Sequence, residues 1–153
     1  MVNNKGKVVL VTGATGFLAK HLIPLLRIKG YYVVGVAKRN ECDVFMDEYY
    51  RLDLMDRALT SERVKQVSPD FVIHLAGISF VNHPTWEDLS AANVDATENL
   101  LCALQAHQPD KIQAVLLASS GIVYGENAIG CINESVSQSL KMSMENQSLQ
   151  WNP

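Results

Sequence analysis

The segment VVLVTGATGFLAKHL, residues 8–22, limits the fold of this chain more than any other. Apolar, mostly β-branched residues at 8–11 favour a strand, and two glycines three apart, Gly13 and Gly16, interrupt it. A helical pattern then runs from about Gly16 to Lys29, and Gly30 suits the left-handed position just past a helix end. Pro24 removes one interior helical hydrogen bond, which predicts a kink beyond the second turn and leaves the first turn intact. A strand joined to a helix by so tight a turn is the opening unit of a parallel α/β sheet.

The same alternation recurs down the chain. Strand-like runs fall at about 32–37, 71–76 and 114–119, with a weaker one near 49–52. RALTSERVKQV, residues 57–67, reads as a helix closed by the break Ser68-Pro69-Asp70. From Trp86 to His107, Leu89, Ala96, Leu100 and Leu104 share one face, Asn93 falls on it too, and Thr85 and Asp88 are spaced for a capping box. NECDVFMDEYY is short and lacks a helical period, so the connection before the weak strand is expected to be loop or a single turn. The expected fold class is α/β, a doubly wound parallel sheet of about five strands occupying residues 1–125. Residues 126–153, rich in Ser, Asn and Gln, are expected to form a loop-rich tail with at most one short helix.

Composition removes several function classes. At 153 residues and 48% hydrophobic, the chain can bury one core. Its formal net charge of −3 and the lack of a Lys/Arg block exclude a general nucleic-acid or anionic-membrane binder. No apolar run approaches the roughly 20 residues that span a bilayer, and no small-residue cleavage site follows the N-terminal apolar run, so a cytoplasmic location is expected. Cys42, Cys102 and Cys131 are odd in number and scattered, which points to reduced thiols and offers no metal-ligand spacing.

The glycine turn is the first candidate site. Thr12-Gly13-Ala14-Thr15-Gly16 sets unpaired N–H groups and the positive end of a helix dipole at the carboxyl edge of the sheet, where phosphate binds. Gly13 permits the turn, Gly16 lets backbone approach a pyrophosphate, and Ala19 keeps helix and strand close. The spacing is G-x-x-G-x-x-A, which is also compatible with a tight turn that holds no ligand.

VLVTGATGFLAKHL, RLDLMD, PDFVIHLAG, NVDATENLL and LLASSGIVYGE come in the order and at about the spacing found in a known family. Across roughly 120 residues the chain resembles the extended short-chain dehydrogenase/reductases that act on nucleotide sugars, with its nearest look to the GDP-mannose 4,6-dehydratase and GDP-4-keto-6-deoxymannose reductase branch. The resemblance implies a Rossmann-type sheet, incomplete at the C-terminus. It places Gly13, Thr15, Gly16, Phe17 and Leu18 against a cofactor pyrophosphate and Asp53-Leu54 against the adenine. Leu75, Ala76 and Gly77 would pass the nicotinamide ribose, Ser119 would line the cofactor side, and Ser120 would be the catalytic serine. Tyr124 is not the catalytic tyrosine by this resemblance, and His74 reads as a packed strand residue. Asn93 leaves two readings: its amide ties neighbouring strand backbone together, or it meets the cofactor.

The residue type after the second strand bears on the choice of cofactor. NAD-preferring folds carry an acid about 20 residues beyond the glycines, whereas this sequence has Ala37-Lys38-Arg39 there. Arginine can grip a 2′-phosphate through a bidentate fork, which favours NADP(H), with NAD(H) and a merely solvated loop as the alternatives.

The family's chemistry requires Tyr-x-x-x-Lys, and none occurs in this chain. The expectation is therefore the cofactor domain of a nucleotide-sugar reductase, dehydratase or epimerase acting at the sugar C4 position, inactive alone and cut off or naturally truncated before the catalytic pair. In full-length form the resemblance implies a homodimer. The alternative is a non-catalytic dinucleotide sensor or scaffold of the same fold.

Overall fold

The computed structural model describes residues 6–40, 43–78, 85–124 and 133. The chain divides into two units, residues 1–118 and 119–153. The first begins with β1 (Val8–Thr12), α1 (Phe17–Ile28), β2 (Tyr32–Ala37), β3 (Glu48–Arg51) and α2 (Arg57–Val67). It continues with β4 (Phe71–His74), α3 (Trp86–Ser90), a π-helical turn (Ala91–Asp95), α4 (Ala96–His107) and β5 (Ala114–Leu117). All pairings are parallel and the strand order is β3-β2-β1-β4-β5. The order reverses beside β1, and such a reversal opens a crevice at the carboxyl ends of the flanking strands.

Helices cover both faces of the sheet, which explains why β1 is apolar at nearly every position. Val9 and Val11 join Val33, Ala19, Ile23 and Met46 on the α1 side. Leu10 joins Val34, Val36, Val72, Val64 and Leu100 on the side of α2 and α4. By the same alternation Thr12 and His74 fall on the α4 face, the only polar side chains of β1 and β4 to do so.

Helix α1 continues through Pro24, which is exposed, so the freed carbonyl faces the solvent side. Two local features depart from the sequence pattern for identifiable reasons. The single helix expected over 86–107 contains a π-turn, in which the Ala96 N–H reaches Ala91 O. Leu89, Ala96, Leu100 and Leu104 are buried, but the widened turn rotates Asn93 off their face and leaves it exposed. Strands β4 and β5 end at His74 and Leu117, earlier than the apolar runs, because the chain beyond β4 bends into the crevice wall.

No helix joins β2 to β3 among the described residues, and Asp47 anchors that connection. Its carboxylate accepts from the Val33 N–H at 2.8 Å and from Arg27 Nε and Nη2 at 3.2 and 3.1 Å, tying the loop to α1 and to the start of β2. Burial raises its pKa, but the Val33 and Arg27 contacts outweigh this and hold it below the usual carboxylate value.

In the second unit the described segment Gly121–Tyr124 is a 3₁₀ turn, with the Val123 N–H donating to Ser120 O at 3.2 Å. Residues 125–132 and 134–153, which include most of the expected loop-rich tail, lie outside the described residues, as do Cys42 and Cys131. Cys102 carries a free thiol. Among the described residues no helix is long and apolar enough to cross a membrane.

Candidate functional site

A cleft of about 360 Å³ opens where the strand order reverses. Gly13, Thr15 and Gly16 form one wall, Val36 to Arg39 the end of β2, and Leu52 and Leu54 the floor beyond β3. Leu75 to Ile78 form the opposite wall, with Ala92 of the π-turn and Ala96 of α4 behind it. The structure thus gathers nine of the residues expected at a cofactor site: Gly13, Thr15, Gly16, Lys38, Arg39, Leu54, Leu75, Ala76 and Gly77.

The two glycines differ in what their surroundings demand. Gly13 has φ of +65°, and a Cβ there would stand 2.8 Å from the Leu75 carbonyl and the Ala76 nitrogen. Gly16 has φ of −75°, and a Cβ there would meet only Gly13 O, at 3.0 Å. One glycine is required by the fold, and the other leaves open space beside the helix start.

The cap of that helix is also unusual for this chain. Asp56 caps α2 by accepting from Leu59 N–H, and Thr85 and Asp88 form a complete capping box on α3. At α1 the N-cap is Gly16, no side chain caps the turn and the first turn holds no acid. Its first N–H groups therefore lack intrahelical and side-chain acceptors, the condition under which a helix start takes an anion.

Charged groups gather at the β2 rim. Lys38 Nζ lies 3.1 Å from Asp53 Oδ1, which also accepts from the Met55 N–H at 3.0 Å. From β3, Arg51 Nε donates to Lys38 O at 3.2 Å and Tyr49 Oη donates to Arg39 O at 2.7 Å. These exposed contacts are individually weak, but together they hold the backbone of both basic residues. Lys38, Arg39 and Arg51 outnumber Asp53, which leaves this edge net positive.

The remaining expected residues stand outside the lining. Phe17 and Leu18 are exposed on the first turn of α1, where the Phe17 ring meets His21 edge-on at 4.8 Å. Asn93 clamps the wall from behind, its Oδ1 accepting from the Ile78 N–H at 2.8 Å and its Nδ2 donating to Ile78 O at 2.9 Å. These two bonds are backbone-tying contacts of the kind that one of its two readings expects. Ser119 and Ser120 belong to the second unit and are exposed.

Sequence reasoning missed Ala92, Ala96, Tyr49 and Arg51. The first two are small residues four apart, a spacing visible in the sequence, whereas the last two reach the rim only through the β2–β3 register. It also missed a buried chain under the cleft. Thr12 Oγ1 lies 2.7 Å from His74 Nδ1, and His74 Nε2 lies 2.9 Å from Thr97 Oγ1. Burial pushes the His74 imidazole below its ordinary pKa.

Residues 9–146 match the NAD dependent epimerase/dehydratase family. The chain belongs to that family. This epimerase/dehydratase chain is 30% identical over 128 residues to the GDP-6-deoxy-D-talose 4-dehydrogenase of Aggregatibacter actinomycetemcomitans, which takes in 84% of this chain and 40% of that protein. It is 28% identical to the UDP-glucose 4-epimerase of Brucella ovis solved with NAD, superposing with a TM-score of 0.75 over 87% of this chain and 42% of that one. For the UDP-glucose 4-epimerase of Bifidobacterium longum, solved with NAD+ and UDP, the figures are 26%, 0.74, 87% and 43%. The epimerase/dehydratase chain therefore spans less than half the length of these relatives.

Proposed function

We propose that this chain is the dinucleotide-binding part of a nucleotide-sugar oxidoreductase, dehydratase or epimerase, and that its cleft prefers NADP(H) to NAD(H). The observation that carries this reading is the uncapped start of α1, placed by a glycine turn on the wall of the cleft. Gly16 and the first-turn N–H groups of Phe17 and Leu18 would bind the pyrophosphate, and Thr15 would flank it. The apolar floor at Leu52 and Leu54 suits an adenine face, with Asp53 available to accept from its exocyclic amine. Leu75, Ala76 and Gly77 would border the nicotinamide ribose.

The nicotinamide, when bound, supplies hydride chemistry. The chain's own residues bind and orient it. Preference for NADP(H) is supported by Ala37-Lys38-Arg39 at the rim and by the excess of positive charge there, although the solved relatives named above hold NAD. In the whole protein Ser120 would hydrogen-bond the C4 hydroxyl or ketone of the sugar, Ser119 would lie on the cofactor side, and the subunits would pair in the cytoplasm.

Calorimetric titration of the purified chain with NADP+ and NAD+ tests the binding reading. Saturable binding of both, tighter for NADP+, is expected, and Gly16→Val should remove it with the far-ultraviolet circular dichroism unchanged. Equal affinity in Gly16→Val and parent rejects the glycine-turn site.

A further inference from the structure

We propose that His74 is a positioning residue of the cleft, held as the neutral Nε2–H tautomer and coupling the glycine turn, the Leu75–Ile78 wall and the π-turn through one directional hydrogen-bond chain. The inference rests on the dinucleotide reading of the cleft.

The tautomer follows from counting protons. The hydroxyl of Thr97 has one, and it donates that proton to Asn93 O at 2.7 Å. Toward His74 Nε2, at 2.9 Å, Thr97 Oγ1 can then only accept, so Nε2 carries hydrogen. A neutral ring leaves Nδ1 bare, and Nδ1 accepts from the Thr12 hydroxyl at 2.7 Å. Thr12 Oγ1 in turn accepts from the Ala76 N–H at 3.1 Å. The chain runs Ala76 N–H to Thr12 to His74, and from His74 to Thr97 to Asn93 O. The opposite tautomer would take the Thr97 proton away from Asn93 O and would leave the Thr12 proton with no acceptor in this chain.

Each end of the chain meets a cleft wall. Thr12 directly precedes Gly13, Ala76 lines the opposite wall, and Asn93, whose carbonyl ends the chain, grips Ile78 with its side chain. His74 is 4% exposed and its bond to Thr12 is buried, where losing a partner is costly, while the Ala76 and Thr97 bonds are half-buried and the chain ends at the surface on Asn93 O. β1 presents Thr12 to the ring and α4 presents Thr97, and among the described residues no charged side chain contributes to its titration. An imidazolium would donate from both nitrogens. The Thr12 proton would then lose its buried acceptor and have to turn away, which strains the tie between the two walls although the Ala76 and Leu75 N–H groups still reach Thr12.

The test has two arms on the purified 153-residue chain. Long-range proton–nitrogen correlation spectra of the imidazoles, without ligand, should show His74 as the Nε2–H tautomer at pH 7.5. NAD+ is the probe for the binding arm because the 2′-phosphate of NADP+ titrates near 6 and would confuse a pH series. NAD+ affinity should fall as pH drops from 8 to 5. At pH 8, Thr97→Val, which removes the half-buried contact with His74 and the exposed one with Asn93 O, should weaken NAD+ by about three- to tenfold. Thr97→Ser, which keeps the hydroxyl, should restore parent affinity to within about twofold. A His74 found as the Nδ1–H tautomer overturns the inference. So does a Thr97→Val chain that binds NAD+ like its parent with the same pH profile, and in both cases dinucleotide binding by the parent leaves the cleft reading standing. A parent chain that binds no dinucleotide at pH 8 overturns the cleft reading and the inference together.

Discussion

Gly13 and Ala76 meet backbone to backbone: a Cβ on Gly13 would stand 2.8 Å from the Ala76 nitrogen. The contact joins the turn after β1 to the wall after β4, and it gives the two glycines of the turn different mutational signatures. Gly13→Ala adds that Cβ at φ of +65°, combining left-handed strain with overlap against backbone that cannot rotate away. A stability loss of about 2–4 kcal/mol is expected in urea unfolding. Gly16→Val should cost about 1 kcal/mol or less, because a Cβ there meets only one carbonyl oxygen, and it should act on ligand binding instead. Equal stability losses at the two positions would contradict this assignment.

The rim ion pair sets the second prediction. Lys38 is engaged by Asp53 at 3.1 Å, which leaves Arg39 as the better-placed partner for a 2′-phosphate. Arg39→Ala should weaken NADP+ by about tenfold, the usual scale for a charge-assisted contact, and NAD+ by less than about twofold. Asp53→Asn keeps an oxygen for the adenine amine and frees Lys38, so it should improve NADP+ relative to NAD+. A parent that prefers NAD+, or an Arg39→Ala chain that loses both cofactors alike, rejects the 2′-phosphate site.

A third prediction concerns the packing behind the glycine turn. On Gly35, in the middle of β2, a Cβ would fall 2.2 Å from Met46 Sδ and 2.8 Å from the Ala14 Cβ. Met46 can swing aside, but Ala14 is fully buried within the turn and cannot. Gly35→Ala should therefore cost about 1–3 kcal/mol, and adding Met46→Ala should not recover the loss, since the Ala14 overlap persists. Full recovery in the double variant, read from denaturant midpoints, would place the whole strain on Met46.

Much of this arrangement was legible in the sequence, and the exceptions share a cause. The strands, α1, α2 and the strand-turn-helix geometry at Gly13–Gly16 follow from periodicity and glycine placement, which are local properties. The π-turn at Ala91–Asp95 was not legible. It depends on Thr97 taking up the Asn93 carbonyl and on Asn93 reaching Ile78, fifteen residues away. His74 reads correctly as a packed strand residue, but its partners Thr12 and Thr97 lie 62 and 23 residues distant, so no window of sequence joins them. The rim was half legible: Lys38 and Arg39 could be named, whereas their anchors Tyr49 and Arg51 needed the β2–β3 register.

The buried imidazole also predicts how stability depends on pH. His74 has its pKa depressed by burial in the folded state, so the folded chain takes up a proton less readily than the unfolded chain. Stability should be flat above about pH 7, decline as pH falls below the unfolded histidine value of about 6.5, and level off once pH is below the folded value. The slope from this one group cannot exceed about 1.4 kcal/mol per pH unit. The carboxylates Asp47 and Glu48 have lowered pKa values, Asp47 through Val33 and Arg27 against the effect of burial, and Glu48 through the Tyr50 and Tyr32 hydroxyls. Their contributions are lost only as pH falls below the ordinary carboxylate range, so the two windows separate. Unfolding free energies at pH 8, 7, 6 and 5 that show no decline would mean that His74 is not buried neutral.

The last prediction is that the 153-residue chain binds dinucleotide without turning it over. Hydride transfer to a C4 ketone needs a group that delivers a proton to the oxygen as hydride arrives, and a well-placed acid contributes about 10²–10⁴-fold. In the role proposed for it Ser120 would orient that oxygen by hydrogen bonding, but a serine hydroxyl is too weak an acid near neutral pH to supply the proton alone. A tyrosine can supply it only when a neighbouring cation lowers a phenol pKa that is ordinarily about 10. Tyr124 has Ala128 where the family motif would put lysine, and no tyrosine in the sequence has a lysine four residues on. Holding the sugar against the nicotinamide is a further requirement, since orientation alone can be worth about 7–11 kcal/mol of barrier. NADPH absorbance should therefore stay constant when the chain is mixed with a panel of nucleotide 4-keto sugars, under conditions where calorimetry shows the cofactor bound. Oxidation that Ser120→Ala or Tyr124→Phe abolishes would mean that these 153 residues assemble a complete acid/base site by a route other than the family's tyrosine and lysine.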